Sequence, residues 1–332
     1  MRTDTKKKIL ELARSAEGIR PHDLVAKLKI SHAALHRHLK TLLMTGVLAK
    51  RGQAPHVIYV AVSAKDVPFV FEFSSEINDK FKSHFCYFTP SGEEIEGTRG
   101  FLEFLNRTDQ HHNPQARAIE YLQIVDRAES FRDLDGLIDG TQKVATTFGE
   151  CCLERVYYSD FYSLPKYGKS RLGQYLLHGK SGQNLRLINK IANLTKDDVS
   201  TILNRHSIEA VAFAPHSIPR KVPFLKEFRR NLNLELPEIT LTKAYSGDLP
   251  IAQKTLSKLS ERIENARETI FVKERHIPFH SILLIDDALG SGATLNEIAR
   301  KLRKLQSSTI KIKIYGYAVV GSYKGFEVIK EA

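Results

Sequence analysis

The sequence predicts an α/β protein in which a small helical unit precedes a parallel β-sheet. Towards the carboxyl end of the chain, the apolar residues 282–285 run directly into Asp286 and Asp287, and a glycine-containing loop and a helix-forming segment follow. Towards the amino end, apolar residues recur at helical spacing in three short segments separated by turn residues. The chain has 332 residues and can therefore form two or three domains with separate cores.

We divide the chain into three parts on this basis. Residues 1–62 are predicted to form a helical unit that ends in a β-hairpin, and residues 161–332 are predicted to form the α/β domain. Residues 63–160 are interpreted as a linker or bridging region of uncertain fold, punctuated by Pro68, Pro90 and Gly92.

The amino-terminal unit is predicted to contain three helices and a hairpin. The first helix has apolar spacing around Ile9, Pro21 opens a second, and Ser31 is the N-cap of a third, which Gly46 closes. Two apolar runs follow and are joined by residues 52–55, as in a hairpin. This order of elements resembles the winged helix-turn-helix family, and the resemblance implies binding of nucleic acid through the third helix and the wing.

Charge favours the same interpretation of residues 1–62. They contain twelve Lys or Arg and four Asp or Glu, which is a net charge of +8 out of +12 for the whole chain. Such a concentration of positive charge is typical of a phosphate-binding surface, whether the partner is duplex DNA or structured RNA or DNA. A winged helix used only for dimerisation or for contact with another protein remains the alternative. The residues expected at the nucleic acid are Ser31, His32, Leu35, His36, Arg37, Lys40, Lys50 and Arg51.

The segment SILLIDDALGSGATL, residues 281–295, carries the strongest chemical signal. A glycine loop allows backbone N–H groups to approach a phosphate, and the following helix N-terminus adds a positive partial charge. The two adjacent carboxylates suit the vicinal hydroxyls of a ribose. A phosphate loop of the Walker type is excluded because no Lys follows the glycines, and a dinucleotide fingerprint is excluded because the acids precede them.

This segment resembles the 5-phosphoribosyl 1-pyrophosphate (PRPP) motif of type I phosphoribosyltransferases, with Gly290 and Ser291 in place of two threonines. Residues 241–272 are similar to the ComF-like branch of that family, residues 211–220 correspond to its pyrophosphate loop, and residues 162–184 resemble an earlier segment of it. The resemblance covers the last half of the chain. It implies a Rossmann-type parallel sheet, so the expected fold is a winged helix-turn-helix domain followed by a type I phosphoribosyltransferase-like domain.

The resemblance also implies a role for each matched residue. Asp286 and Asp287 would hold the ribose hydroxyls as the catalytic carboxylates. Mg²⁺ would enter with PRPP, without direct ligation by a side chain. The 5′-phosphate would be bound by Gly290, Ser291, Gly292, Ala293 and Thr294. The pyrophosphate would lie near His216, Ser217 and Arg220, and Lys243, Lys254 and Arg262 are candidates for a mobile cationic loop.

Other kinds of site are not indicated. The sequence contains no apolar run long enough for a membrane span and no signal peptide, so we expect a cytoplasmic protein, with a homodimer as one option for its assembly. Its three cysteines lack the C-x-x-C spacing of a zinc site. His111 and His112 are adjacent, whereas two ligands on one helix face need a spacing of three or four residues, so we interpret them as part of a loop.

Three functions fit these observations. The first is an enzyme that transfers ribosyl phosphate and is tethered to a nucleic-acid-binding module. The second is a transcription regulator whose phosphoribosyltransferase-like domain senses PRPP without reaction. The third is the effector of an anti-phage cassette such as a retron, in which bound nucleic acid restrains a toxic transfer domain. The chemistry of the acceptor pocket would distinguish these three functions.

Overall fold

A computed structural model describes residues 2–15, 18–52, 54–62, 70–306 and 311–324. Contacts along the chain separate two compact units, Met1–Val70 and Phe71–Ala332. The amino-terminal unit contains three helices, α1 (Arg2–Ser15), α2 (Pro21–Leu28) and α3 (His32–Met44), and an antiparallel hairpin of β1 (Leu48–Arg51) and β2 (Ile58–Ala61).

Local sequence signals set the ends of the helices in this unit. Pro21 occupies the first position of α2, where its missing N–H costs no hydrogen bond. The Ser31 hydroxyl accepts a hydrogen bond of 3.2 Å from the Ala34 N–H and caps α3, as predicted. Gly46 follows α3 in the left-handed region with a φ of 70°. The apolar faces of the helices meet in a core that includes Ile9 and Leu24.

The carboxyl-terminal unit alternates helices and strands around one main sheet. None of the helices in the described part of the chain is both long enough and apolar enough to cross a membrane. Its helices are α4 (Ser75–His84), α5 (Gly97–Arg107), α6 (Pro114–Glu129), α7 (Thr141–Thr147), α8 (Arg171–Ser181), α9 (Leu185–Arg205), α10 (Phe224–Leu232), α11 (Leu259–Thr269) and α12 (Ala293–Lys304). Its strands are β3 (Cys86–Phe88), β4 (Glu94–Glu96), β5 (Ile138–Asp139), β6 (Arg155–Phe161), β7 (Ser163–Leu164), β8 (Gly168–Lys169), β9 (Ala210–Phe213), β10 (Leu241–Lys243), β11 (Ile270–Val272), β12 (Ser281–Leu289) and β13 (Lys313–Gly321).

The main sheet has the strand order β5-β6-β13-β12-β9. The strands β6, β13, β12 and β9 are parallel, and the short edge strand β5 is antiparallel to β6. The interior strand β12 is fully buried from Ile282 to Ile285, which explains its unbroken apolar run. Because the strands are parallel, their carboxyl ends lie at one edge of the sheet, where ligands bind in open α/β folds.

The predicted domain boundary at residue 161 is too late. Strand β6 begins at Arg155 and pairs with β13, with Tyr157 opposite Tyr317, so residues 155–160 belong to the sheet. The sequence did not reveal this strand because its burial depends on a partner strand far along the chain.

The preceding region, residues 71–150, is also a packed structure. Its helices meet in an aromatic cluster, in which the rings of Phe81 and Phe101 stack with centroids 4.2 Å apart. The Tyr121 hydroxyl joins this cluster to the end of α4 by donating a hydrogen bond of 3.0 Å to the His84 carbonyl. This part of the chain is therefore a folded portion of the second unit, where the sequence indicated only a bridge of uncertain fold.

Candidate functional site

The acid pair lies within β12. The sequence placed Asp286 and Asp287 just beyond the strand, but pairing with β13 continues to Leu289, which lies opposite Gly321. Asp287 is 9% exposed, and its backbone N–H donates a 2.8 Å hydrogen bond to Oδ1 of Asp286. Successive side chains of a strand point to opposite faces, and this backbone hydrogen bond holds the Asp286 carboxylate beside its neighbour.

The glycine loop connects β12 to the amino end of α12. Gly290, Ser291 and Gly292 form the connection, whereas Ala293 and Thr294 are the first residues of the helix. Gly292 has a φ of 84°, and a Cβ at this position would lie 3.0 Å from Cγ1 of Val144 on α7. The positive φ therefore favours glycine here, and a Cβ would also crowd the Val144 side chain. The unpaired N–H groups of the first turn of a helix form an anion-binding surface.

These groups open into a cavity of about 640 Å³. It lies at the carboxyl ends of β9 and β12, which is where the parallel sheet predicts a ligand. The predicted site residues that line it are His216, Ser217, Arg220, Arg262, Asp286, Asp287, Gly290, Ser291, Gly292, Ala293 and Thr294. The structure thus brings together the acid pair, the glycine loop and the predicted pyrophosphate loop, which lie up to about 80 residues apart in the chain.

The segment after β9 forms the opposite wall of the cavity. The Ala214 N–H donates a 2.8 Å hydrogen bond to the Ile285 carbonyl, which keeps this segment beside β12. The Ser217 carbonyl accepts a 2.8 Å hydrogen bond from the Tyr245 hydroxyl. The Arg220 guanidinium donates a 2.6 Å hydrogen bond to the carbonyl of Lys180 at the end of α8. These contacts fix the wall before any ligand binds.

Two of the three predicted loop cations lie beside this wall. Lys243 donates hydrogen bonds of 3.2 Å to the Ser217 hydroxyl and 2.9 Å to Oδ1 of Asn265. Burial lowers the pKa of Lys243 to about 8, although the nearby Asp286 carboxylate acts in the opposite direction.

Arg262 reaches the glycine loop from α11. Its Nε donates a 2.9 Å hydrogen bond to the Leu256 carbonyl, and a Cβ built on Gly290 would lie 3.9 Å from one of its terminal nitrogens. Its guanidinium group therefore lies close to the glycine loop. The third predicted cation is Lys254, whose side chain lies outside the described residues.

Lys180 is a site residue that the sequence did not reveal. Its ammonium group forms an ion pair with the Asp287 carboxylate, although the two residues are 107 positions apart in the chain. Burial alone would lower the pKa of Lys180, but the charge of Asp287 and the hydrogen bond to it raise the pKa above its usual value. Lys180 lies in the last turn of α8, in a segment that resembles the ComF-like branch, and this resemblance was the only sequence signal for it.

The acid pair carries more negative charge than its surroundings stabilise. Burial and the adjacent Asp287 carboxylate raise the pKa of Asp286 well above its usual range, while Lys180 and Lys243 lower it only in part. An active site commonly holds carboxylates in such a state, because a ligand then supplies the missing partners.

The amino-terminal unit presents a separate basic surface. One predicted contact is wrong: Leu35 is 1% exposed and belongs to the core of this unit, so it does not face a nucleic acid. Ser31 uses its hydroxyl as the cap of α3. The remaining predicted residues are exposed and lie on α3 and β1; they are His32, His36, Arg37, Lys40, Lys50 and Arg51.

Comparisons with known proteins do not assign the chain to a family. No family model matches the chain, and no curated protein matches its sequence. The chain has a weak structural similarity to a hypoxanthine phosphoribosyltransferase from Staphylococcus aureus, with 11% sequence identity and a TM-score of 0.21. The similarity covers 40% of this chain and 73% of that protein.

Proposed function

We propose that the second unit binds PRPP and transfers its ribosyl phosphate, and that the first unit binds nucleic acid as a winged helix-turn-helix domain. The observation that supports the first part is a single cavity in which the acid pair, a glycine loop at a helix N-terminus and a wall with cationic side chains face one another. Each of these features suits a different part of PRPP, namely the ribose, the 5′-phosphate and the pyrophosphate.

The mechanism requires positioning and charge stabilisation rather than a covalent nucleophile. Asp286 and Asp287 would accept hydrogen bonds from the two ribose hydroxyls and stabilise the positive charge that develops on the ribose as pyrophosphate leaves. The loop N–H groups would hold the 5′-phosphate, and Arg220, Lys243 and Arg262 would bind the departing pyrophosphate. The sugar would thereby be fixed at both ends while the bond at C1 breaks.

Mg²⁺ would accompany the substrate. It would neutralise the pyrophosphate charge and take its oxygen ligands from PRPP and water, without direct ligation by a side chain. The chain itself would contribute the cationic side chains Arg220, Lys243 and Arg262 to the same task.

The test is calorimetric titration of PRPP with Mg²⁺ into the full-length protein. Asp286→Asn with Asp287→Asn should weaken binding at least about tenfold, because charge-assisted hydrogen bonds worth roughly 1.4 kcal/mol or more are lost. The chain offers a matched control in the adjacent acids Asp197 and Asp198 of α9, whose double Asn variant should bind PRPP as the wild type does. Equal affinity of the wild type and the 286/287 variant would reject this site.

Exposed charge supports the nucleic-acid part of the proposal. Two cations on the hairpin strand β1 and several polar side chains on α3 lie at the surface of one small unit. If six phosphates are neutralised, the logarithm of the binding constant for duplex DNA should fall with the logarithm of salt concentration with a slope of about −5. Lys50→Ala with Arg51→Ala should weaken binding and flatten the slope by roughly one to two units.

A control of equal charge is Lys273→Ala with Arg275→Ala, since both side chains are exposed in the second unit. This variant should keep the affinity and the salt dependence of the wild type. A wild-type slope near zero, or equal effects of the two double variants, would contradict the assignment of the basic surface.

A non-catalytic PRPP sensor is the second candidate. The ion pair between Lys180 and Asp287 favours it, because a ribose hydroxyl must compete with an ammonium group for that carboxylate. Release of pyrophosphate from PRPP, measured across the nucleobases with and without nucleic acid, separates the possibilities. Release supports transfer, binding without release supports a sensor, and a rate that changes with nucleic acid supports a restrained effector of the retron type.

A further inference from the structure

A second cluster of ligand-type side chains lies outside the cavity, in the turn between α5 and α6. It consists of Asp109, His111 and His112, and one side-chain ligand atom from each residue lies within 4.8 Å of the other two. The sequence favoured a simple loop here, because adjacent histidines cannot share one face of a helix. The turn removes that restriction, since Asp109 has a φ of 56° in the left-handed region and residues 108–113 are not helical.

The separations between the groups suit a metal ion. Oδ1 of Asp109 lies 3.7 Å from Nδ1 of His111 and 3.9 Å from Nε2 of His112. Both distances are too long for a direct hydrogen bond. Tetrahedral Zn²⁺ with bonds of about 2.0–2.1 Å separates its ligand atoms by roughly 3.3–3.4 Å, so small rotations of the side chains would complete the geometry.

Both ends of the turn are fixed by the flanking helices. The Gln110 N–H donates a 2.8 Å hydrogen bond to the Leu105 carbonyl at the end of α5. The Asn113 side chain accepts a 3.2 Å hydrogen bond from the Ala116 N–H and caps α6. The three ligands are therefore carried by a short segment with anchored ends, which reduces the ordering that metal binding requires.

We propose that Asp109, His111 and His112 bind one Zn²⁺ ion, with the fourth position open to water. Two imidazole nitrogens and a carboxylate oxygen are a donor set that Zn²⁺ accepts, and three protein ligands with one open position form a recurrent zinc arrangement. Mg²⁺ prefers oxygen ligands, so this site is distinct from the one proposed for PRPP. The Asp109 and His112 side chains are 85% and 78% exposed, so the ion would exchange readily with solvent.

The experiment is calorimetric titration of zinc chloride into the full-length protein after removal of metal with a chelator. The wild type should bind one more equivalent of zinc than His111→Ala with His112→Ala. Asp109→Asn, a milder change, should weaken binding at this site at least about tenfold, since it replaces an anionic ligand by a neutral one. Cobalt(II) added in place of zinc should give the visible absorption of a tetrahedral site in the wild type and lose it in the double variant.

The matched control is His276→Ala with His280→Ala, because both histidines are exposed and lie elsewhere in the second unit. This variant should retain the zinc stoichiometry and the cobalt spectrum of the wild type. Urea midpoints without metal establish that all variants are folded. Equal stoichiometry in the wild type and the 111/112 variant, or an equal loss in the control, would overturn the proposal.

Discussion

Asp286→Asn should stabilise the protein at pH 8, although it removes a central group of the proposed site. The carboxylate is partly buried beside Asp287, and this environment raises its pKa. Each unit of such a pKa shift corresponds to about 1.4 kcal/mol, so we expect the neutral amide to raise the free energy of unfolding by roughly 1–2 kcal/mol. The Asn side chain keeps an oxygen that can accept the 2.8 Å hydrogen bond from the Asp287 N–H, so the local structure should persist.

The stability gained by Asp286→Asn should increase as pH rises. A carboxyl group whose pKa is raised in the folded state contributes stability below its unfolded pKa of 3.8, and that contribution is lost as pH rises through the folded pKa. Near pH 4 the wild-type side chain is largely protonated, so the variant and the wild type should have similar stability. The difference should then grow towards pH 8.

Substitution of the neighbouring Asp287 should change stability in the opposite direction. Asp287→Asn removes the ion pair with Lys180, whose side chain is 42% exposed while that of Asp287 is 12% exposed. Because Lys180 is partly solvated, we expect Asp287→Asn to lower the free energy of unfolding by about 1–2 kcal/mol, which is less than the cost of breaking a fully buried ion pair. Urea unfolding of the full-length protein at several pH values measures both variants. Destabilisation by Asp286→Asn at pH 8, or a gain that does not vary with pH, would refute the reasoning.

Three further predictions follow from the same structure. Gly292→Ala should destabilise the protein by about 1–3 kcal/mol and weaken PRPP binding, because Gly292 has a φ of 84° and an added Cβ would lie 3.0 Å from Val144. Gly149→Ala is the control and should be tolerated, because an added Cβ there has no heavy atom within 4 Å. Lys243→Met should raise the urea midpoint at pH 7, because it removes a charged group that burial disfavours. Wild-type stability should rise between pH 8 and 10.5, where Lys243 has lost its proton in the folded state and still holds it in the unfolded state, and the variant should not show this rise. Saturating PRPP with Mg²⁺ should change DNA affinity roughly 5- to 150-fold, and DNA should change PRPP affinity by the same factor. Equal DNA affinities with and without PRPP and Mg²⁺ would leave the amino-terminal unit as a tether.

Local features of the chain were predictable from the sequence by itself. The Ser31 cap, the proline at the start of α2 and the order of helices and hairpin depend on interactions between residues a few positions apart. The buried run before Asp286 and Asp287 and the glycine loop after them were equally evident, because an interior parallel strand and a tight connection to a helix impose their residue types directly.

Only the tertiary structure decided which distant side chains meet. Lys180 lies against Asp287 because α8 ends beside the carboxyl end of β12, and no pattern of local spacing encodes that encounter. The pairing of β6 with β13 likewise placed residues 155–160 in the sheet, and packing of α3 turned Leu35 inward. Periodicity reports which face of an element is buried, whereas the partner of each face is set by the packing of the whole unit.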